Sequence, residues 1–150
     1  MHTMSINSLF ERRLTMNNLF KHELTINQRQ TLVDITSYIK NDIEKSKIRN
    51  GIVLVYCPHT TAGITINENA DPDVVTDLIY GFEKVFNTID SNYKHFEGNS
   101  HAHLKSSTVS ASQSLILNEG NLILGTWQDI YFCEFDGPRH RTFYVKIIEG

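Results

Sequence analysis

Apolar and polar residues alternate in short segments over most of the chain, which predicts a fold built mainly from β-strands. The predicted strands are about 18–26, 52–56, 61–68, 115–117, 122–124, 127–135 and 140–148. Both alternating sets are apolar in 52–56, a pattern typical of a central strand covered on both faces. Residues 1–16 have no sustained periodicity, and we expect them to be an N-terminal extension outside a single domain of residues 17–150.

Two other segments have helical spacing of their apolar residues. Asn27 as N-cap predicts a helix over about 28–46, and Asp71 before Pro72 predicts a second helix over about 72–87. The apolar stripe of the first consists of Leu32, Ile35, Ile39 and Ile43. The order of strands and helices predicts an α+β fold with two main helices and an antiparallel, sandwich-like β core.

Composition and charge narrow the functional classes. The 150 residues include 14 Lys and Arg against 17 Asp and Glu, and the formal net charge of −3 excludes a globally basic nucleic-acid-binding protein. No apolar run approaches the ~20 residues that cross a membrane. Cys57 and Cys133 lack CxxC spacing, and no secretory signal follows Met1. We expect a cytoplasmic protein whose partners are neither nucleic acid nor membrane.

A break between two predicted strands forms the first candidate site. Cys57-Pro58 ends the apolar run, His59 lies on the break, and Thr61 begins the next strand. Because strand ends are rigid while loops reach solvent, His59 could move a proton there and Thr61 could contact a ligand. The alternative is a loop histidine that bonds to the backbone.

Three histidines within nine residues form the second candidate. His101 and His103 would point to one side if their segment is extended, whereas on a helix they project in roughly opposite directions and could not share a metal. Imidazoles drawn from His59, His95 and His103 would suit zinc or a similar divalent ion. The alternative is that these are solvated loop side chains.

The last predicted strand carries the third candidate. Arg139 and Arg141 share the parity of its apolar, inward-facing residues. Guanidinium groups match phosphate or carboxylate, and the Lys-Ser-Ser segment 105–107 could add donors, so we expect a small anion as ligand. The alternatives are an internal ion pair with Glu134 or Asp136, or a subunit contact.

Three segments are distinctive: CPHTTAGITINENADPDVVTDL, YKHFEGNSHAHLKSS and SLILNEGNLILGTWQDIYFCEFDGPRHR. Together they resemble the YjbQ-like family, also called secondary thiamine-phosphate synthase, over about residues 17–150. The resemblance implies an α+β fold on a β-sandwich-like core, and a homotrimer with polar pockets near subunit boundaries. It also implies weak thiamine-phosphate synthase activity, which joins a pyrimidine pyrophosphate to a thiazole phosphate and releases pyrophosphate, normally with magnesium.

The resemblance places His59, His95 and His103 on the family's histidine positions, and Asn67, Gln128 and Glu134 on other polar positions of its motifs. Together with the reasoning above, the predicted catalytic residues are His59, Glu134, Arg139 and Arg141, and the predicted anion-binding residues are Thr61, Asn67, Lys105, Ser106 and Gln128. The predicted metal ligands are His59, His95 and His103, for a zinc-like ion or magnesium. The alternative functions are a metal-dependent hydrolase of a small phosphorylated or carboxylated compound, and a non-catalytic module that binds a small anion.

Overall fold

Two antiparallel β-sheets and three helices make up the fold in the computed structural model, which describes residues 17–150. The predicted extension, residues 1–16, lies outside the described residues. The strands are β1 (Leu19–Ile26), β2 (Thr31–Asp34), β3 (Gly51–Tyr56), β4 (Ala62–Glu68), β5 (Ser112–Asn118), β6 (Asn121–Leu122), β7 (Gln128–Glu134) and β8 (Arg139–Glu149). The helices are α1 (Thr36–Ser46), α2 (Pro72–Val85) and α3 (Ser100–Val109). The predicted α+β class with an antiparallel β core is confirmed.

The two sheets enclose the main hydrophobic core. The larger has the strand order β1-β8-β3-β5-β6 and the smaller has β2-β7-β4. Phe143 and Val145 of β8 share one buried cluster with Ile64 of β4 and Phe132 of β7. This arrangement confirms the central position predicted for β3, since β8 and β5 pair with its two edges.

The outer face of the larger sheet is exposed in the described protomer. Val53 and Val55 of β3 are fully buried, but Ile52 is 49% exposed. The expectation that both faces of this strand are covered is therefore wrong for the single chain, because the second sheet covers only the inner face. Ile116 of β5 and Ile148 of β8 lie opposite Ile52 and are exposed with it, and we call these three residues the isoleucine row.

The first helix begins at Thr36 and not near residue 28. Leu32 lies in β2 opposite Cys133 of β7, and Asn27 does not cap a helix. The helix begins where Asp34 accepts a hydrogen bond of 2.9 Å from the backbone N–H of Thr36. Leu32 and Ile35 are three positions apart, a spacing that fits a single helix but equally fits a strand followed by a helix. The prediction of one long helix failed for this reason.

The second predicted helix is confirmed, and a third is added in the described part of the chain. Asp71 is the N-cap of α2, and its carboxylate accepts a 2.9 Å hydrogen bond from the backbone N–H of Asp73. α3 packs closely on β4 at Gly63. A side chain there would not fit, since a Cβ added to Gly63 would lie only 2.5 Å from Cγ2 of Val109. Within residues 17–150, no helix has the length and apolar character needed to span a membrane.

Candidate functional site

A buried ion pair lies where the β7–β8 turn ends the smaller sheet. Arg141 donates from Nε to Oε2 of Glu134 at 2.5 Å, and from Nη2 to Oε1 of Glu134 at 2.6 Å. The Nη2 group also donates to Oγ1 of Thr61 at 2.8 Å. Arg141 is 6% exposed and Glu134 is fully buried, so the internal ion-pair alternative holds for this arginine.

Arg139 forms a second, more exposed pair at the rim. Its Nε and Nη2 donate to the carbonyl oxygen and to Oδ2 of Asp136, each at 2.9 Å. The backbone N–H of Asp136 donates to Oε1 of Glu134 at 2.8 Å, which joins the two pairs into what we call the arginine cluster: Arg139, Arg141, Glu134 and Asp136. Within residues 17–150 these bonds engage Nε and Nη2, so Nη1 of Arg139 can still donate to an anion.

Asp136 connects this cluster to the histidine loop through Asn99. Nδ2 of Asn99 donates to Oδ2 of Asp136 at 2.9 Å, and Oδ1 of Asn99 lies 2.9 Å from Nδ1 of His95. Partial burial raises the pKa of Asp136, but the bonds from Asn99 and Arg139 outweigh it and hold that pKa below its usual value. The ionised carboxylate can only accept hydrogen bonds, which assigns the amide nitrogen to its side and the amide oxygen to the side of His95.

This orientation fixes the tautomer of His95. Because the amide oxygen of Asn99 is an acceptor, Nδ1 of His95 donates to it and Nε2 carries the lone pair. We call Asp136, Asn99 and His95 the relay. The carboxylate and the amide hold the imidazole in one orientation, with Nε2 able to take up or deliver a proton.

His103 lies next to the relay, and His101 does not. The rings of His95 and His103 have centroids 5.3 Å apart and meet edge to face at 88°. His101 is 1% exposed and its Nδ1 lies 3.3 Å from Nζ of Lys105. Since both lie on α3, His101 and His103 project in different directions, as predicted for a helical segment.

His59 bonds to the backbone of β8. Nε2 of His59 lies 2.9 Å from the backbone nitrogen of Thr142 and 3.1 Å from its carbonyl oxygen, so both backbone groups of Thr142 face this ring nitrogen. Burial, and then the positive charge of Arg141, lower the pKa of His59 and favour its neutral form. This geometry matches the backbone-bonding alternative, while the catalytic role expected of His59 stays a prediction.

The donors of the site do not match a resident metal ion. Among residues 17–150, no three His, Cys, Asp or Glu side chains are grouped closely enough to hold one, so His59, His95 and His103 do not form the predicted centre within the protomer. The carboxylates of Glu134 and Asp136, which magnesium would prefer, already accept hydrogen bonds from the site itself. This donor set fits neither a zinc-like ion nor magnesium.

Two of the predicted anion-binding residues are engaged in packing α3. Lys105 is fully buried, and its Nζ donates to Oε1 of Gln30 at 2.9 Å and to Oε2 of Glu83 at 2.7 Å. Ser106 donates at 2.6 Å to the main-chain carbonyl that begins β4. These bonds tie α3 to α2 and to the smaller sheet, so in the described protomer both side chains have structural contacts.

The Lys105–Glu83 pair gives a pH-dependent stability. Burial alone raises the pKa of Glu83, but the hydrogen bonds from Lys105 and Thr88 outweigh it and hold that pKa at about 2, below the ordinary value of 4.5. As the pH falls, Glu83 therefore takes up a proton in the unfolded chain before it does so in the folded chain. The pair contributes its full stability above about pH 4.5, and this contribution is lost as the pH falls toward about 2.

We expect Glu83→Gln to flatten the pH dependence of unfolding in this window. The expected change is only about 1 kcal/mol, because solvent screens this partly exposed side chain. Urea denaturation at about pH 5 and about pH 3 measures it, since the two values bracket much of the window. If the free energy of unfolding changes equally between the two pH values in the variant and in the original chain, the pH dependence does not come from Glu83.

Two further predicted anion-binding residues lie far from the arginine cluster. Gln128 begins β7 and Glu134 ends it, which separates them by roughly 20 Å at about 3.3 Å per residue. Asn67 lies opposite Asp129 at the same distant end. Oε1 of Gln128 accepts the backbone N–H of Gly125 at 2.8 Å. The described protomer therefore does not bring Asn67 and Gln128 to the site, whereas it does bring Thr61.

Comparison with known proteins identifies the family. A sequence model described as "UPF0047 protein YjbQ-like" matches residues 21–150. The chain belongs to the YjbQ-like family. The resemblance noted from the sequence motifs is thereby confirmed.

YjbQ-like relatives are similar over most of the chain. The UPF0047 protein YugU of Bacillus subtilis is 54% identical over 121 residues, which cover 81% of this chain and 92% of that protein. A UPF0047 protein of Methanocaldococcus jannaschii is 57% identical over 122 residues, covering 81% and 88%. A crystal structure of an uncharacterized YjbQ family protein from Clostridium acetobutylicum has a TM-score of 0.84 at 51% identity, covering 86% of this chain and 99% of that one.

Two residues of this YjbQ-like site were not assigned to it from the sequence. Asn99 had no predicted role, and Asp136 was considered only as an ion-pair partner for an arginine. An asparagine just before a helix is common for reasons of capping alone, so no local pattern marks Asn99 as the link between a carboxylate and a histidine. The link depends on the β7–β8 turn, where a Cβ added to Gly137 would lie 2.0 Å from the carbonyl oxygen of Gln28.

Proposed function

We propose that this YjbQ-like protein binds a phosphorylated small molecule at the arginine cluster and the relay, and catalyses a group transfer that releases pyrophosphate, as in thiamine-phosphate synthesis. The proposal is supported by three hydrogen bonds of 2.9 Å that connect Arg139, Asp136, Asn99 and His95. They couple a guanidinium group, which matches phosphate oxygens, to an imidazole that can move a proton.

In the proposed reaction, the bond between the pyrimidine compound and its pyrophosphate breaks as the thiazole nitrogen attacks. The bonding electron pair leaves with the pyrophosphate, whose oxygens gain negative charge. Arg139 would stabilise that charge through its Nη1 donors. His95 in its protonated form would donate from Nε2 to the leaving oxygen. The Arg141–Glu134 pair positions the start of β8, which carries Arg139.

We expect Arg139→Gln to slow thiamine-phosphate formation from its two precursors by roughly 10- to 100-fold. The reason is that a hydrogen bond between charged groups contributes about 1.5–3 kcal/mol. The assay uses protein purified from a host that lacks its own thiamine-phosphate synthase. Absence of product above a buffer blank with the original chain would contradict the synthase proposal.

The matched control for this assay is Arg49→Gln. Arg49 is also exposed, and its Nη2 donates at 2.8 Å to the main-chain carbonyl of Glu119, away from the site. We expect this variant to retain the rate of the original chain. An equal loss in both arginine variants would show that net charge alone, and not the cluster, determines the rate.

Two alternatives predict different results in the same preparation. A metal-dependent hydrolase would release phosphate from small phosphorylated compounds and lose that activity in a chelator, although the donor set speaks against a resident ion. A non-catalytic module would bind pyrophosphate without turnover, and calorimetry would show that binding weakened in Arg139→Gln.

The family resemblance also implies a homotrimer, and we propose a cytoplasmic one with neither nucleic acid nor membrane as partner. The isoleucine row supports an assembly, because a second subunit would cover this apolar surface. Light scattering should give three times the chain mass of 17.2 kDa. A solution mass equal to one chain would contradict the trimer.

A further inference from the structure

Phe96 lies beside the relay with its ring almost fully exposed. The side chain is 93% exposed, and its ring centroid lies 5.8 Å from that of His95 with the planes inclined at 49°. The ring of His95 also meets that of His103, with 5.3 Å between the centroids. Phe96, His95 and His103 therefore form a continuous series of rings, which we call the aromatic wall.

The position of Phe96 is fixed by a tight turn. The backbone N–H of Gly98 donates to the carbonyl of His95 at 3.3 Å, and Gly98 has φ +73°, a conformation that glycine adopts without strain. His95, the first residue of this turn, is held through Asn99 to Asp136. The exposed ring thus belongs to a turn that is anchored on the site itself.

Within this wall, the ring of Phe96 adds an exposed apolar face to a site whose other groups are polar. Small-molecule sites commonly combine aromatic side chains with a few polar groups that fix the ligand's orientation. A ring on Phe96 would gain apolar contact area and stacking energy, while the phosphate of the same molecule bonds to Arg139. An aliphatic phosphate could bond to Arg139 but could not stack on Phe96.

We propose that Phe96 stacks on a planar heteroaromatic ring of the phosphorylated ligand and is therefore a specificity-determining residue. The inference rests on the proposed function, since Arg139 must hold the phosphate. It assigns recognition of the ligand's heteroaromatic ring to Phe96, a contact to which the proposed function gives no residue.

Calorimetry with two phosphate esters tests the inference. We expect the original chain to bind thiamine monophosphate about 10-fold more tightly than glycerol phosphate, which has no ring. Phe96→Ala should remove this preference and leave glycerol phosphate binding unchanged, whereas Phe96→Trp should keep the preference. Ile89→Ala is the matched control, since Ile89 is 90% exposed in the same α2–α3 connection and should not affect either ligand.

The outcomes separate this inference from the proposed function. If neither ester binds the original chain, the anion site and the stacking role both fail. If both esters bind with equal affinity, or if Phe96→Ala keeps the preference, the anion site stands and the role of Phe96 is overturned. A lower solution mass of Phe96→Ala would identify the ring as a subunit contact, which also overturns the inference.

Discussion

Replacing Arg141 by methionine should lower the free energy of unfolding by roughly 3–5 kcal/mol, the range seen when one partner of a buried ion pair is removed. The variant removes both guanidinium contacts of Glu134, at 2.5 and 2.6 Å, from a carboxylate that is fully buried. Among the donors of residues 17–150, Glu134 then keeps only the backbone N–H of Asp136 at 2.8 Å. The loss is large because the remaining charge stays out of water without its counterion. Urea denaturation measures it.

Two further variants separate the pair from its surroundings. Arg141→Met combined with Glu134→Leu should recover most of the loss, because apolar replacement of both partners is often neutral. Arg139→Met is the matched control, since its side chain is 49% exposed and solvent screens its pair with Asp136. We expect it to cost at most about 1 kcal/mol. Similar losses in the two single variants would contradict the assigned difference in burial.

The sequence correctly predicted those helices and strands whose formation depends mainly on neighbouring residues in the chain. α2 follows from the Asp71-Pro72 start and a long apolar stripe, both of which are local. The strands predicted at 115–117 and 122–124 overlap β5 and β6, and the tight turn between them has positive φ at Glu119 and Gly120. β2 was missed because pairing with β7 decides its structure, and four residues carry too little periodicity to reveal it.

The part of the site that depends on the alternation of inward and outward side chains along a strand could be predicted from the sequence. Strand parity placed Arg141 among the inward residues, and its need for an anionic partner left Glu134 and Asp136 as the internal alternatives, of which Glu134 is the one it pairs with. Parity could not show that Arg139 would stay at the rim, because this residue begins β8 and pairs with the turn. Nor could spacing show that His59 would bond to the backbone while His95 joined Asp136 through Asn99. The bonds between His59 and Thr142 and between Asn99 and Asp136 join segments that are distant in the chain.

Asp42 is a second buried carboxylate, and a single histidine pairs with it in the described part of the chain. Asp42 of α1 is fully buried, and its Oδ2 lies 2.6 Å from Nε2 of His22 on β1. Among the described residues, Oδ1 of Asp42 has no hydrogen-bond partner. The His22 ring stacks on Phe143 at 4.8 Å and meets the edge of Tyr38 at 5.1 Å. His22 therefore satisfies the carboxylate and also fills space between two aromatic rings.

His22→Leu should lower the free energy of unfolding by roughly 3–5 kcal/mol, because Asp42 would remain buried with both oxygens unpaired. Leucine keeps an apolar contact with Phe143, so most of this loss would come from the carboxylate. A double variant with Asp42→Leu should then be more stable than His22→Leu alone, since it removes the stranded charge. Glu23→Gln is the matched control, because it breaks the exposed 2.9 Å pair with Lys21 on the same strand and should leave the free energy of unfolding essentially unchanged. If the double variant is no more stable than His22→Leu, the unpaired carboxylate is not the source of the loss, which would contradict the prediction.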